Sequence, residues 1–128
     1  MNSTYPLCLE GTQLPLGPYL CSFETGEVGA LWSVKMPFRC NIKVAHAVVQ
    51  KTIAATDDGT VTISDESGNT ICTITAAKDL GAGSEASASV FHDEYTIEEG
   101  KQIKFLSTKS TAGGRVLVEL LVQVLPSA

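Results

Sequence analysis

An all-β chain, folded as an antiparallel β-sandwich of jelly-roll or Greek-key type with seven or eight strands, is what this sequence predicts. Three observations carry that expectation. Apolar residues recur with a period of two in short runs, as a strand with one buried face requires. Turn-forming residues separate those runs at close spacing, and no segment shows the i, i+3, i+4 spacing of an amphipathic helix.

The strongest element is the last one. In Arg115 to Leu125 (RVLVELLVQVL), Val116, Val118, Leu120, Val122 and Val124 fall on one face of an extended strand. The other face carries Leu117, Leu121 and Leu125, interrupted by Glu119 and Gln123. A helix would scatter these positions around its circumference, and β-branched residues favour strands. One face can fill a core. The second is greasy enough to want a partner, so Leu117, Leu121 and Leu125 are candidates for an oligomer interface.

The remaining elements follow in chain order. Residues 1–29 contain Pro6, Pro15 and Pro18 among Gly11, Gly17, Gly26 and Gly29, which discourages long regular structure and reads as an extended arm ahead of a sandwich domain over 30–128. The arm also carries Tyr5, Leu7, Leu9, Leu14, Leu16, Tyr19, Leu20 and Phe23. That is too much apolar surface for a free tail, and contact with a neighbouring subunit is favoured over packing on its own body. Leu31 to Met36 is a strand stopped at Pro37. Arg39 to Ile53 alternates with Ile42, Val44, His46 and Val48 on the expected core side. Asp57-Asp58-Gly59 turns into Thr60 to Ser64, and Glu66-Ser67-Gly68-Asn69 reverses the chain into Thr70 to Ala76. Ala77 to Ser89 (AKDLGAGSEASAS) reads as a loop crossing between sheets. Val90 to Ile97 and Gln102 to Ser107 are strands joined by Glu98-Glu99-Gly100-Lys101.

Composition bounds the function. At 128 residues, 44% apolar and 18% charged, the chain is long enough to build one core without a staple. Its net charge of −5, with the nine basic residues scattered singly, argues against a nucleic-acid binder, which needs clustered Lys and Arg. No stretch has the length of a membrane span, and MNSTYPLCLE lacks the pattern of a signal peptide, so synthesis in a reducing cytoplasm is expected. Cys8, Cys21, Cys40 and Cys72 form no CxxC pair and read as four reduced thiols, with a Cys8–Cys21 pair the alternative if the N-terminal segment doubles back.

Catalytic and metal chemistry find little support. His46 sits among valines, where a structural role outweighs a ligand role. His92-Asp93-Glu94 alternates across a strand, so its three side chains do not converge. Asp57-Asp58-Gly59 lacks the spacing of a calcium loop and is accounted for as a turn. No nucleophile elbow is present, and the glycine pairs precede no helix that would cradle a phosphate. Neither catalytic residues nor a metal or cofactor is expected. Trp32, Tyr19 and Tyr95 are the aromatics available for stacking on a sugar ring, which makes a receptor- or glycan-binding module the alternative reading.

The grammar of MPFRCNIKVAHAVVQKTIAATDDGTVTI, then the GNTICTITA hairpin, YTIEEGKQIKF and the STAGGRVLVELLV strand, resembles that of phage head decoration (cement) and accessory virion proteins. The resemblance runs from Phe38 to Leu125. It implies a structural virion protein working by contact alone: a homotrimeric β-sandwich that binds the major capsid protein, stabilises the capsid surface, and is made in the host cytoplasm. Its partners would be itself and the shell, with neither nucleic acid nor membrane involved.

Overall fold

The computed structural model describes residues 11–86 and 89–126, with backbone only for 89–94. Eight strands form two antiparallel sheets: β1 (Gln13–Ser22), β2 (Leu31–Lys35), β3 (Cys40–Lys51), β4 (Gly59–Asp65), β5 (Thr70–Ala76), β6 (Ser89–Ile97), β7 (Gln102–Thr108) and β8 (Arg115–Val124). The first sheet runs β1-β8-β3-β6 and the second β2-β7-β4-β5. This interleaved order is that of an eight-stranded jelly roll, which decides between the two sandwich types the sequence allows. Tyr5, Leu7 and Leu9 lie outside the described residues.

The core sits between the sheets. Val116, Val118, Leu120, Val122 and Val124 of β8 are at most 1% exposed, as period-2 alternation predicts. From β3 they meet Ile42, Ala45, Ala47 and Val49, and from the opposite sheet Val61, Ile63, Ile74, Ile103 and Phe105 close the layer. Each large side chain so buried contributes roughly 1.5–3 kcal/mol before ordering costs.

Two sequence expectations are corrected here. The stretch read as an arm contains strand β1, paired along its length with β8, and Gly11 N–H continues the pairing to the Val124 carbonyl at 2.7 Å. Its prolines are compatible with a strand because β1 is a sheet edge, where a missing N–H leaves no ladder bond unmade. Pro15 and Pro18 also keep further strands from adding to that edge. Leu14, Leu16 and Tyr19 therefore pack, partly buried, against this chain's own core, and Phe23 is fully buried in it.

The second correction concerns His46. A bulge between Ile42 and Val44 inverts the alternation of β3, so Ala45 and Ala47 point inward while Val44, His46 and Val48 point out. Only Ile42, ahead of the bulge, keeps the expected facing.

The loop from β5 to β6 crosses between the sheets, as expected, and lies down along β3. Val49 and Gly83–Ser84 exchange backbone hydrogen bonds of 2.7 and 2.8 Å, and Ala86 N–H reaches the Ala47 carbonyl at 2.8 Å. Phe23 seals the adjoining end. Its N–H donates to Gly114 O and its carbonyl accepts from Gly113 N–H, at 2.8 and 2.6 Å. Gly59 faces the ring so closely that a Cβ there would lie 2.8 Å from Phe23 Cζ.

Buried charge is pinned at the same end. Lys109, whose side chain is 0% exposed, donates to Asp57 Oδ1 at 2.8 Å and to the Asp57 carbonyl at 2.7 Å. The Asp57 carboxylate also accepts Ser110 N–H at 2.6 Å and Thr111 N–H at 3.1 Å. The Lys109 hydrogen bond foremost, helped by these backbone donors and opposed by burial, holds the Asp57 carboxyl at about 2 against an ordinary 3.8. A turn residue on sequence grounds is thus the counter-ion of a buried lysine.

Two outcomes are expected. Gly59→Ala overpacks the Phe23 plug and costs about 1–3 kcal/mol, read as a lower urea midpoint with unchanged slope. For Asp57, the depressed folded value means its stabilisation is complete above pH of about 4 and is lost as pH falls toward about 2. Asp57→Asn therefore unfolds more easily than the parent at neutral pH, and the gap closes across that window in acid-unfolding circular dichroism. A gap independent of pH would refute the assignment.

Candidate assembly surface

Among the described side chains, the outward face of the first sheet is built mainly from β1, β8 and β3. Strand register sets three rows across its middle, flanked by the polar Arg115–Ser22–Lys51 and Gln123–Gln13–Asn41 rows. Leu20, Leu117 and Val48 align in one row, and Pro15, Leu121 and Val44 in another. Between them runs a polar row in which His46 Nε2 lies 3.8 Å from Glu119 Oε1. Leu20 is 47% and Val48 37% exposed, while Leu117 and Leu121, shielded by flanking strands, are half-buried.

The other sheet is dressed differently. Its outward positions carry Thr60, Thr62, Thr73, Thr75, Ser33, Ser64 and Lys104, with Leu31 and Leu106 as the apolar pair at the β2 side. Among the described side chains, the first sheet's outer face is thus the more apolar and the second's is rich in hydroxyls, with Leu31 its exposed exception at 58%.

Of the residues expected at an interface, Leu117 and Leu121 fall in the apolar rows. Leu125 lies beyond the end of β8, where its N–H bonds the Arg39 carbonyl at 2.8 Å. Val44, Val48 and Pro15 belong to the same surface and were not legible as such: the bulge at Ile42/Val44 reverses the facing that simple alternation assigns to the valines, and Pro15 lies in the segment read as an arm. No local residue pattern marks a bulge of this kind.

Most ionisable side chains near this sandwich are held in structural pairs. Asp65 Oδ1 accepts Ser67 and Asn69 N–H at 3.0 and 2.9 Å, and Oδ2 accepts Tyr95 O–H at 2.9 Å. The Asn69 N–H bond leads in holding the Asp65 carboxyl below its ordinary range, while burial, then the bond to Asp65, raise Tyr95. Tyr95 thereby ties β6 of one sheet to β4 of the other, and its hydroxyl is engaged in that bond. Arg39 Nε donates to both oxygens of Glu98 at 2.9 and 3.1 Å, and Lys51 pairs with Glu24. Among the described residues no group of three or more His, Cys, Asp and Glu side chains gathers as a metal site. The side chain of His92 lies outside the described residues.

Cys21, Cys40 and Cys72 are core residues, and Cys8 lies outside the described residues. Cys21 and Cys40 are 0% exposed, and burial pushes them up to about 12 and about 11. Thiols held in that state are poor nucleophiles. No helix among the described residues is long and apolar enough to cross a membrane.

No family model and no curated protein matches the chain. Among solved structures, it is similar to a family 35 carbohydrate-binding module from Clostridium thermocellum, at 15% identity and a TM-score of 0.43, covering 91% of this chain and 92% of that one. It is also similar to a chain from Bacillus endospore appendages, described as a family of disulfide-linked pili, at 13% identity and a TM-score of 0.32, covering 97% of this chain and all of that one.

The burial of Cys21 and Cys40 predicts that neither reacts with a thiol reagent while the protein is folded and that both react in denaturant. Labelling followed by peptide mass spectrometry reads this directly. Rapid modification of Cys21 in the native protein would contradict the packing described.

Proposed function

We propose that this protein is a structural module that works by contact, associating with copies of itself through the outward face of the β1-β8-β3-β6 sheet. The observation that carries the reading is the asymmetry of the two broad faces. A jelly roll needs one apolar side per sheet, and the first sheet has two.

A second copy of the chain is the occupant that the pattern fits. The surface reads apolar row, polar row, apolar row, with His46 and Glu119 in the middle. A pattern symmetric about its centre is self-complementary, because a two-fold axis lying in the sheet plane brings leucine rows onto leucine rows. Completing the burial of Leu20, Leu117, Leu121 and Val48 contributes a fraction of the roughly 1.5–3 kcal/mol of a full side chain at each position, on both copies.

The finer reading follows the resemblance to head decoration proteins: a virion protein that binds the major capsid protein on the outside of a phage capsid. That resemblance implies a homotrimer, whereas the self-complementary outer face described above favours a two-fold pair. Copies joined to one another and to a shell gain avidity, since each further contact forms at high effective concentration. Such a role needs a rigid, pre-formed body. The cross-sheet Tyr95–Asp65 bond and the buried Lys109–Asp57 pair support that requirement.

The test is sedimentation velocity on the parent and on Leu121→Asp, with Leu117→Asp as a second variant. The parent is expected to sediment above the monomer, and each aspartate to cost the association about 2 kcal/mol or more while circular dichroism stays that of the parent. A parent that is monomeric at all accessible concentrations, or variants that assemble as it does, would overturn self-association. Labelled protein retained on purified capsids, and lost on competition with unlabelled protein, checks the capsid reading separately.

A further inference from the structure

β1 and β2 are edge strands of different sheets, and beside them the loop of residues 24–30 leaves a cleft of about 160 Å³. Leu20, Ser22, Glu27, Ala30, Trp32 and Ser107 line it. We propose that this cleft is a binding site for a single neutral hydroxylated ring, of which a pyranose sugar is the representative.

The floor is the first reason. Ser107 is 3% exposed, and no hydrogen bond joins its hydroxyl to another described residue; its carbonyl is taken by Gly29 N–H at 2.7 Å. Buried hydroxyls are ordinarily bonded, so one turned into a cleft without a protein partner has bonding capacity left for a ligand.

The wall is the second. Trp32 stacks on Phe105 with ring centroids 4.4 Å apart and planes 11° from parallel, and Tyr19 closes on it at 5.8 Å. The indole is therefore fixed before any ligand arrives. A rigid aromatic surface beside polar groups suits the apolar face of a sugar ring, and fixing it in advance removes an ordering cost.

The rim supplies the acceptor. Ser22 Oγ donates to Glu27 Oε1 at 3.0 Å and accepts Glu24 N–H at 3.1 Å, which orients the carboxylate and leaves Oε2 for a hydroxyl donor. A carboxylate at the mouth repels anions, so phosphorylated or acidic sugars are excluded. The volume admits one ring, and Leu20, 47% exposed, adds an apolar border. Pockets of this make-up, mostly apolar with a few placed polar groups, are the usual form of small-ligand sites.

The chain contains one tryptophan, so its emission reports on this cleft and nowhere else. The experiment titrates the full chain with methyl glucoside, methyl galactoside, methyl mannoside and N-acetylglucosamine to millimolar concentration, with tetramethylammonium and inorganic phosphate alongside. A saturable emission change with at least one sugar is expected, together with protection of Trp32 from acrylamide quenching. Ser107→Ala and Glu27→Gln, each checked by circular dichroism, should weaken it about tenfold. Leu121→Asp should leave it unchanged, since the cleft does not rest on self-association. No saturable response to any of the sugars, a response only to tetramethylammonium or phosphate, or sugar binding indifferent to both cleft variants would overturn the proposal.

Discussion

Strand β8 is hydrogen-bonded on both sides, to β1 and to β3, and is apolar on both faces; the rest of the structure is arranged around that fact. Its valine-rich row forms the inner surface of one sheet and demands an apolar layer opposite. The β2-β7-β4-β5 sheet supplies it. Because a central strand needs neighbours at both edges, the N-terminal segment is drawn in as β1 and cannot remain an arm. The leucines on its outer side are then shielded laterally by β1 and β3 but not covered from above.

Closing two sheets into a sandwich leaves edges and ends to manage. Prolines 15 and 18 blunt the β1 edge, and the 83–86 stretch of the crossing loop lies along β3 where β6 does not extend. At one end Phe23, locked between Gly113 and Gly114, caps the core beside the Lys109–Asp57 pair. Elsewhere Tyr95 reaches across to Asp65. Lys109 and Asp57, like Tyr95 and Asp65, are bonded to one another in these closures, which offsets the desolvation they incur. The same closures fix the sheets relative to one another, so the outward apolar rows are presented on a stiff platform.

Similar chemistry at two places leads to different uses. Leu20 belongs both to the broad apolar face and to the margin of the Trp32 cleft, yet the surfaces differ in kind. The face is wide, flat and patterned symmetrically, suited to another protein. The cleft is small, with a buried hydroxyl and an oriented carboxylate, suited to a small polar molecule. A contact protein with a small-ligand site at its seam is physically consistent, because the two surfaces share little beyond one leucine.

The hydrophobic alternation of β8, the turn chemistry around Gly68 and Asn69, and the absence of helical periodicity were enough to place the sandwich, most of its strands and the two-sided final strand. These are local properties, and period-2 patterning reports directly on which side chains share a face. What the sequence could not hold was anything that depends on a partner strand. Prolines look alike in an arm and in a sheet edge, so β1 was hidden until its pairing with β8 existed. The bulge in β3, which turns His46, Val44 and Val48 outward, arises from register against β8 and β6 and leaves no mark in the residues themselves. Asp57 reads as a turn residue because its counter-ion lies 52 positions away, and Ser107 and Trp32 come together only through the pairing of β7 with β2. Composition and periodicity decide what must be buried; only the three-dimensional packing decides what is left facing out.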